Sequence, residues 1–405
     1  MAHRFPSSKV SGGFLDQIFV RTKQQLLSLF TDAPDWVVQI VSSLINIAAV
    51  LGAFLTLFAL ISVLERKILG RIQNRYGPNR VGPFGLLQPA ADGIKMLIKE
   101  DIVPFRADQV VHFLAPIMMV LPAILALGVI PYGRNMTAFA IDGGILFFFA
   151  VGSMTELAVF MAGWGSNNKF SMLGAMRAIA QMVSYELPLI ITVLPVVMIV
   201  GSLSPDAIVA AQGGYAHGLM PRWFVFTPWG GAAFVLFFIS GLVESNRTPF
   251  DVPEGESEIV AGHMTEYSGF KYATFFMAEY FGMFAISGLA VTLFLGGWHA
   301  PIRFLEIVPS YAWFFAKLSA LLFVFIWIRG TLPRTRVDQV MNFAWKFVLP
   351  MAFTCIISAA VWHYQAHGLA GWLWSFAVVA VVYVVLSYIL DTRRKFAPRV
   401  YRFAE

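Results

Sequence analysis

Nine long runs of apolar side chains constrain this chain more than any other feature. They lie at roughly 39–64, 111–130, 143–163, 179–201, 230–244, 272–296, 311–329, 343–363 and 370–390. A helix needs about 20 such residues to cross the hydrocarbon core of a bilayer. Inside that core, only structures that pair every backbone N–H and C=O internally are viable. The pattern predicts an all-α polytopic membrane protein of about nine transmembrane helices, the fifth being short unless it starts near Phe224. Composition agrees: 13% of the 405 residues are charged and mean hydropathy is +0.71, whereas soluble domains carry about 25% charged residues.

The loops between the runs carry the orientation. Twenty-one of the 29 Lys and Arg fall on one side and seven on the other, with Lys317 left inside a run. Positive charge marks the inner side, which predicts an N-terminus outside and a C-terminus in the cytoplasm. No short apolar stretch followed by small residues precedes the first run, so no cleavable signal is expected. Phe14–Phe30 instead alternates apolar groups with Lys23, Gln24 and Gln25, the pattern of an interfacial helix. The expected divisions are 1–38 for this N-terminal segment, 39–363 for the membrane domain and 364–405 for a last span and basic tail. The conspicuous loops of the membrane domain are 65–110, 244–271 and 329–342.

Several chemistries are excluded. Cys355 is the only cysteine, so the chain forms no internal disulfide and cannot supply four ligands to an iron–sulfur cluster. Neither a dinucleotide-binding glycine motif nor a P-loop is present. The seven histidines show no metal-ligand spacing, and no metal site is expected.

On the predicted inner side, Glu244–Tyr267 carries Glu244, Asp251, Glu254, Glu256, Glu258 and Glu266 against a single cation, Arg247. Crowded carboxylates in a partly desolvated loop raise one another's proton affinity and titrate as a group. Pro249 and Pro253 restrict the backbone between them. A solvated acidic loop is the plain alternative. Within the runs, Glu156, Glu186, Glu279 and Lys317 are ionisable groups that cost free energy in lipid and point to function; a packing partner on a neighbouring helix is the other reading of each. After the first run comes a turn-rich stretch, and then Gly85–Asp101, whose Leu86, Leu87, Ala90, Ile94, Leu97 and Ile98 share one helical face.

Four of these stretches carry a resemblance. They are Glu-Arg-Lys-x-Leu-Gly-x-x-Gln-x-Arg-x-Gly-Pro-Asn-x-Val-Gly at 65–82, Leu-Gln-Pro-x-Ala-Asp at 87–92, Glu244–Glu258, and Arg-Gly-Thr-Leu-Pro-Arg-x-Arg-x-Asp-Gln at 329–339. Together they resemble the NuoH/ND1-type membrane subunit of respiratory complex I, over nearly all of 40–363. The resemblance implies eight spans forming the membrane side of a quinone chamber in a proton-translocating NADH:quinone oxidoreductase. It implies a bacterial inner-membrane location, and a quinone bound at the interface with partners, with no cofactor held by this chain alone. Implied partners are soluble quinone-site and iron–sulfur subunits, small membrane subunits leading to antiporter-like subunits, and lipid, with no nucleic acid. Proton coupling would fall to Glu156, Glu186, Glu244, Asp251, Glu254, Glu256, Glu258 and Glu279. Glu65, Arg66, Arg71, Arg247, Phe250, Arg329 and Arg334 would line the chamber. The run at Gly371–Leu390 and its basic tail depart from the family. A stand-alone secondary transporter lacks the expected inverted repeat here, and a membrane-bound hydrogenase subunit is the related alternative.

Overall fold

A computed structural model describes residues 14–29, 34–216, 220–253, 255, 259–364 and 369–393. Among them, eight helices are long and apolar enough to cross a membrane. The first is α2 (Asp35–Ile72), preceded by the short α1 (Ile18–Ser28) and followed by α3 (Gln88–Ile98). Next come α4 (Gln109–Gly128), the broken pair α5 (Gly144–Gly152) and α6 (Met154–Gly165), and α7 (Lys169–Val200). On the loop that follows lie α8 (Pro205–Ala211) and a two-residue antiparallel ladder, Tyr215–Ala216 with Met220–Pro221. Then come α9 (Pro228–Glu244), α10 (Gly269–Phe294) and α11 (Ser310–Thr331). A continuous span follows, made of α12 (Val337–Phe343), a π-helical turn at Ala344–Val348 and α13 (Leu349–Tyr364), and α14 (Leu369–Arg393) ends the described chain. The run expected to be short is α9, with 17 residues and a 3-10 turn at Phe224–Phe226 before it.

The bundle is organised around α10, whose most apolar window is 83% buried, against 6% for that of α14. Burying apolar surface drives little association in lipid, so the helices close on small residues instead. Gly163 on α6 meets Ala175 on α7, and Gly241 on α9 meets Ile286 on α10 so closely that no side chain fits at either glycine. Aromatic rings fill the remainder: Phe54 lies 5.8 Å from Phe284, and Tyr132 meets Phe314 edge-on at 5.3 Å. The last helix, α14, is joined to α13 by a buried hydrogen bond from the Ser358 hydroxyl to the Ser375 carbonyl at 2.9 Å.

Two contacts fix the face opposite the 244–268 loop. Asp16 accepts from the Ser310 N–H at 2.7 Å and the Ser310 hydroxyl at 2.5 Å, capping the start of α11. Lys317, inside α11, donates to the carbonyls of Leu295, Gly297 and His299 at 2.7, 2.8 and 2.7 Å, and so fastens the C-cap of α10 and the loop that leaves it. With three carbonyls bound, its ammonium is a fastening of that helix end.

A Cβ at Gly163 would collide with the Ala175 Cβ. Gly163→Val should therefore force α6 from α7 and cost about 1–3 kcal/mol, the usual range for overpacking. The measurement is the thermal midpoint of the detergent-solubilised complex, and an unchanged midpoint would contradict the close contact.

Candidate functional site

Near the end of α2, Glu65 is 5% exposed. Its carboxylate accepts from three side chains distant in sequence: Arg329 in the last turn of α11, Tyr280 on α10, and Arg247, whose Nη1 lies at 3.4 Å. The Arg247 guanidinium also lies over the Tyr280 ring, 4.0 Å from its centroid. Arg247 is carried by a turn between α9 and α10. Asn246 takes a left-handed conformation with φ 51, one that Asn adopts more readily than most residues, and the Phe250 N–H closes the turn on the Arg247 carbonyl at 2.9 Å. Burial works against the charge on Arg247, but the Tyr280 hydroxyl and the Glu65 and Glu279 carboxylates outweigh it and hold its pKa above the usual guanidinium value. Two guanidinium groups thus meet the Glu65 carboxylate, and the Glu279 carboxylate acts on Arg247 as well.

Three residues before Arg247, α9 ends in Glu244, and a second group of carboxylates gathers there. Glu156 on α6 and Glu186 on α7 lie within electrostatic reach of each other. The Ser153 hydroxyl, at the break between α5 and α6, donates to Glu186 Oε1. A Cβ at Gly152 would be 4.0 Å from Glu244 Oε1, which brings the third carboxylate to the same break. Glu244 Oε2 is buried with no hydrogen-bond partner among the described residues. It lines a cavity of about 60 Å³ that Glu279, Asn246, Met182, Gly152 and Gly282 also line. A water needs roughly 10–15 Å³, so the cavity has room for a few.

The residues expected from sequence divide accordingly. Glu65, Arg247 and Arg329 meet in one cluster, and Glu156, Glu186 and Glu244 in the other, with Glu279 on the cavity between α9 and α10. Arg66 and Arg71, expected with them, stay out of the cluster. Arg66 pairs with Asp92 of α3 at 2.6 Å on the surface, and Arg71 lies over the exposed Tyr76 ring at 5.0 Å. Offsets of one and six residues from Glu65 turn them roughly 100° and 240° round α2, away from its face. Partial burial pulls the Asp92 carboxyl upward, but hydrogen bonds from Arg66 and Gln88 win and hold it below its usual range. Arg334 donates to the Asp251 backbone carbonyl, and the Thr335 N–H and hydroxyl bind the Pro249 carbonyl at 2.9 and 2.8 Å, so the 329–336 segment braces the Arg247 turn. Phe250 sits 6.5 Å from the Tyr185 ring. Glu254, Glu256 and Glu258 lie outside the described residues. Tyr280, Ser153 and Gln181 escaped the sequence reading, since a Tyr, Ser or Gln inside an apolar helix gives no spacing signal.

Replacing Glu65 with Gln should leave Arg247, only 7% exposed, short of its counterion. Stranding one member of a buried pair costs about 3–5 kcal/mol. The thermal midpoint should fall in Glu65→Gln and largely recover when Arg247→Met is added; equal midpoints for the single variant and the parent would contradict the pairing.

Residues 45–360 match the family model described as NADH dehydrogenase. The H subunit of the NADH-quinone oxidoreductase of Burkholderia vietnamiensis (strain G4 / LMG 22486) is 47% identical over 326 residues, covering 79% of this chain and 91% of that protein. The protein of the same name from Dehalococcoides mccartyi (strain CBDB1) is 48% identical over 308 residues, covering 75% of this chain and 83% of its own length. Together with an all-helical membrane bundle that keeps Glu65, Arg247 and Arg329 in contact, these matches show that the chain belongs to the NADH dehydrogenase family of ND1/NuoH-type membrane subunits.

Proposed function

We propose that this chain is the subunit of a bacterial proton-translocating NADH:quinone oxidoreductase that builds the membrane side of the quinone chamber and passes the charge of quinone reduction to a proton route. The observation that carries this reading is the spacing of two sites along one turn. Arg247 belongs to the arginine cluster with Glu65 and Arg329, and Glu244 belongs to the carboxylate group with Glu156 and Glu186. Quinone reduction takes up two electrons and two protons. An anionic intermediate near the two guanidinium groups is stabilised by them, and its field acts on carboxylates a few residues away in a medium of low dielectric.

In this reading the quinone ring lies outside the small cavity, in a space completed by soluble partner subunits against the 65–110, 244–271 and 329–342 loops. Electrons come from an iron–sulfur cluster in a partner, because this chain cannot ligate one. Asp251, Arg334 and Phe250 frame the chamber through the braced turn, and Glu254, Glu256 and Glu258 are counted among the proton-coupling acids on the family resemblance. Glu156 and Glu186 are half-buried in this chain alone. That exposure suits a hand-over of protons to a neighbouring membrane subunit. The family resemblance supports an inner-membrane location with the 244–268 loop in the cytoplasm.

In inverted membrane vesicles, Glu244→Gln should leave the assembled complex able to reduce quinone from NADH, with proton pumping per quinone reduced falling by about an order of magnitude, as removal of a required proton carrier does. An unchanged ratio at an unchanged rate would overturn the coupling role.

A further inference from the structure

Gln181 is a polar side chain on α7, 2% exposed, that the proposed chemistry does not use. Its amide nitrogen has two hydrogens, and both are spent on the turn that carries Arg247. Nε2 donates to the Val243 carbonyl at 2.9 Å and to the Phe250 carbonyl at 2.9 Å, with Asn246 Oδ1 further off at 3.4 Å. One side chain therefore ties the two ends of the 243–250 turn to a single point on α7. Four residues on, the Tyr185 hydroxyl binds the Val340 carbonyl at 2.8 Å, just ahead of the π-helical turn. The next residue is Glu186.

The helix is soft at this place. Pro188 has no N–H, which leaves the Ser184 carbonyl without its helical partner and weakens α7 within the turn that carries Glu186. A displacement of the Arg247 turn can reach the carboxylates by two routes. One runs along the chain to Glu244. The other crosses through Gln181 into α7 and so to Glu186, which accepts from the Ser153 hydroxyl and lies within electrostatic reach of Glu156. We infer that Gln181 is a positioning residue for proton coupling, the strut through which movement of the Arg247 turn shifts Glu186 together with Glu244. This rests on the proposed function above and adds a second, mechanical path to its electrostatic one. Gln181 Oε1 is itself buried without a partner among the described residues, an expense for a residue that merely fills space.

The test uses the assembled complex in inverted vesicles, reading NADH-driven quinone reduction and protons moved per quinone reduced. Gln181→Met keeps the shape and removes the donors. Its ratio should fall by about twofold or more, the usual size of effects along a coupling network, while the rate of quinone reduction per assembled complex holds. In Gln181→Glu, a protonated side chain can donate one hydrogen bond and an ionised one can only repel the two carbonyls. Its ratio should therefore approach that of the parent at acidic pH and drop as pH rises. A parental ratio in Gln181→Met overturns the inference. If Gln181→Met does not assemble, a Gln181→Glu ratio that follows the parent across pH overturns it instead. Glu244→Gln in the same vesicles separates the two levels. Loss of pumping there with none in Gln181→Met defeats the strut alone, and no loss there defeats the function on which it rests.

Discussion

A single buried carboxylate holds the functional end of this bundle together. Glu65 reaches α10 through Tyr280, α11 through Arg329, and the α9–α10 connection through Arg247. Desolvating a carboxylate and two guanidinium groups is costly, and attraction at short range offsets that cost only when the geometry is closed on all sides. The arrangement therefore behaves as one unit, in which a change of charge alters the balance for every segment tied to it. The 243–250 turn is held by Gln181 on one side and by Arg334 and Thr335 on the other.

From that constraint the division of labour follows. The arginine cluster and the carboxylate group are separate: the first is charge-paired around Glu65, and in the second Glu244 lines a cavity with room for water. In the proposed function, separation lets the two sites differ in protonation chemistry, and the short turn between them couples them. The opposite face of the bundle is built for rigidity, with Lys317 and Asp16 each closing a helix end.

Much of the fold could be read from the residues. Every apolar run is a helix, because lipid leaves the backbone no alternative. The errors lie at the ends. α7 starts at Lys169 and α2 continues to Ile72, since Lys169, Arg177, Arg66 and Arg71 dilute hydropathy without stopping a helix. The π-helical turn at 344–348 had no signature. At the site, the ionisable types were visible and their grouping was not. Glu65 and Arg329 are 264 positions apart, and only packing around α10 brings them together. Arg66 and Arg71 belong to the same basic motif as Glu65 yet point elsewhere, because neighbours along a helix do not share a face. Family resemblance supplied what periodicity could not, namely which of the acids to suspect.

The proposed coupling requires a protonation change at Glu244 when quinone is reduced beside Arg247. Redox-difference infrared spectroscopy of the intact complex, comparing the parent with Glu244→Gln, reads that change directly. A carboxylic-acid C=O band that responds to quinone reduction in the parent and vanishes in the variant is the predicted result. Identical carboxyl bands in both would contradict the coupling and leave Glu244 a spectator.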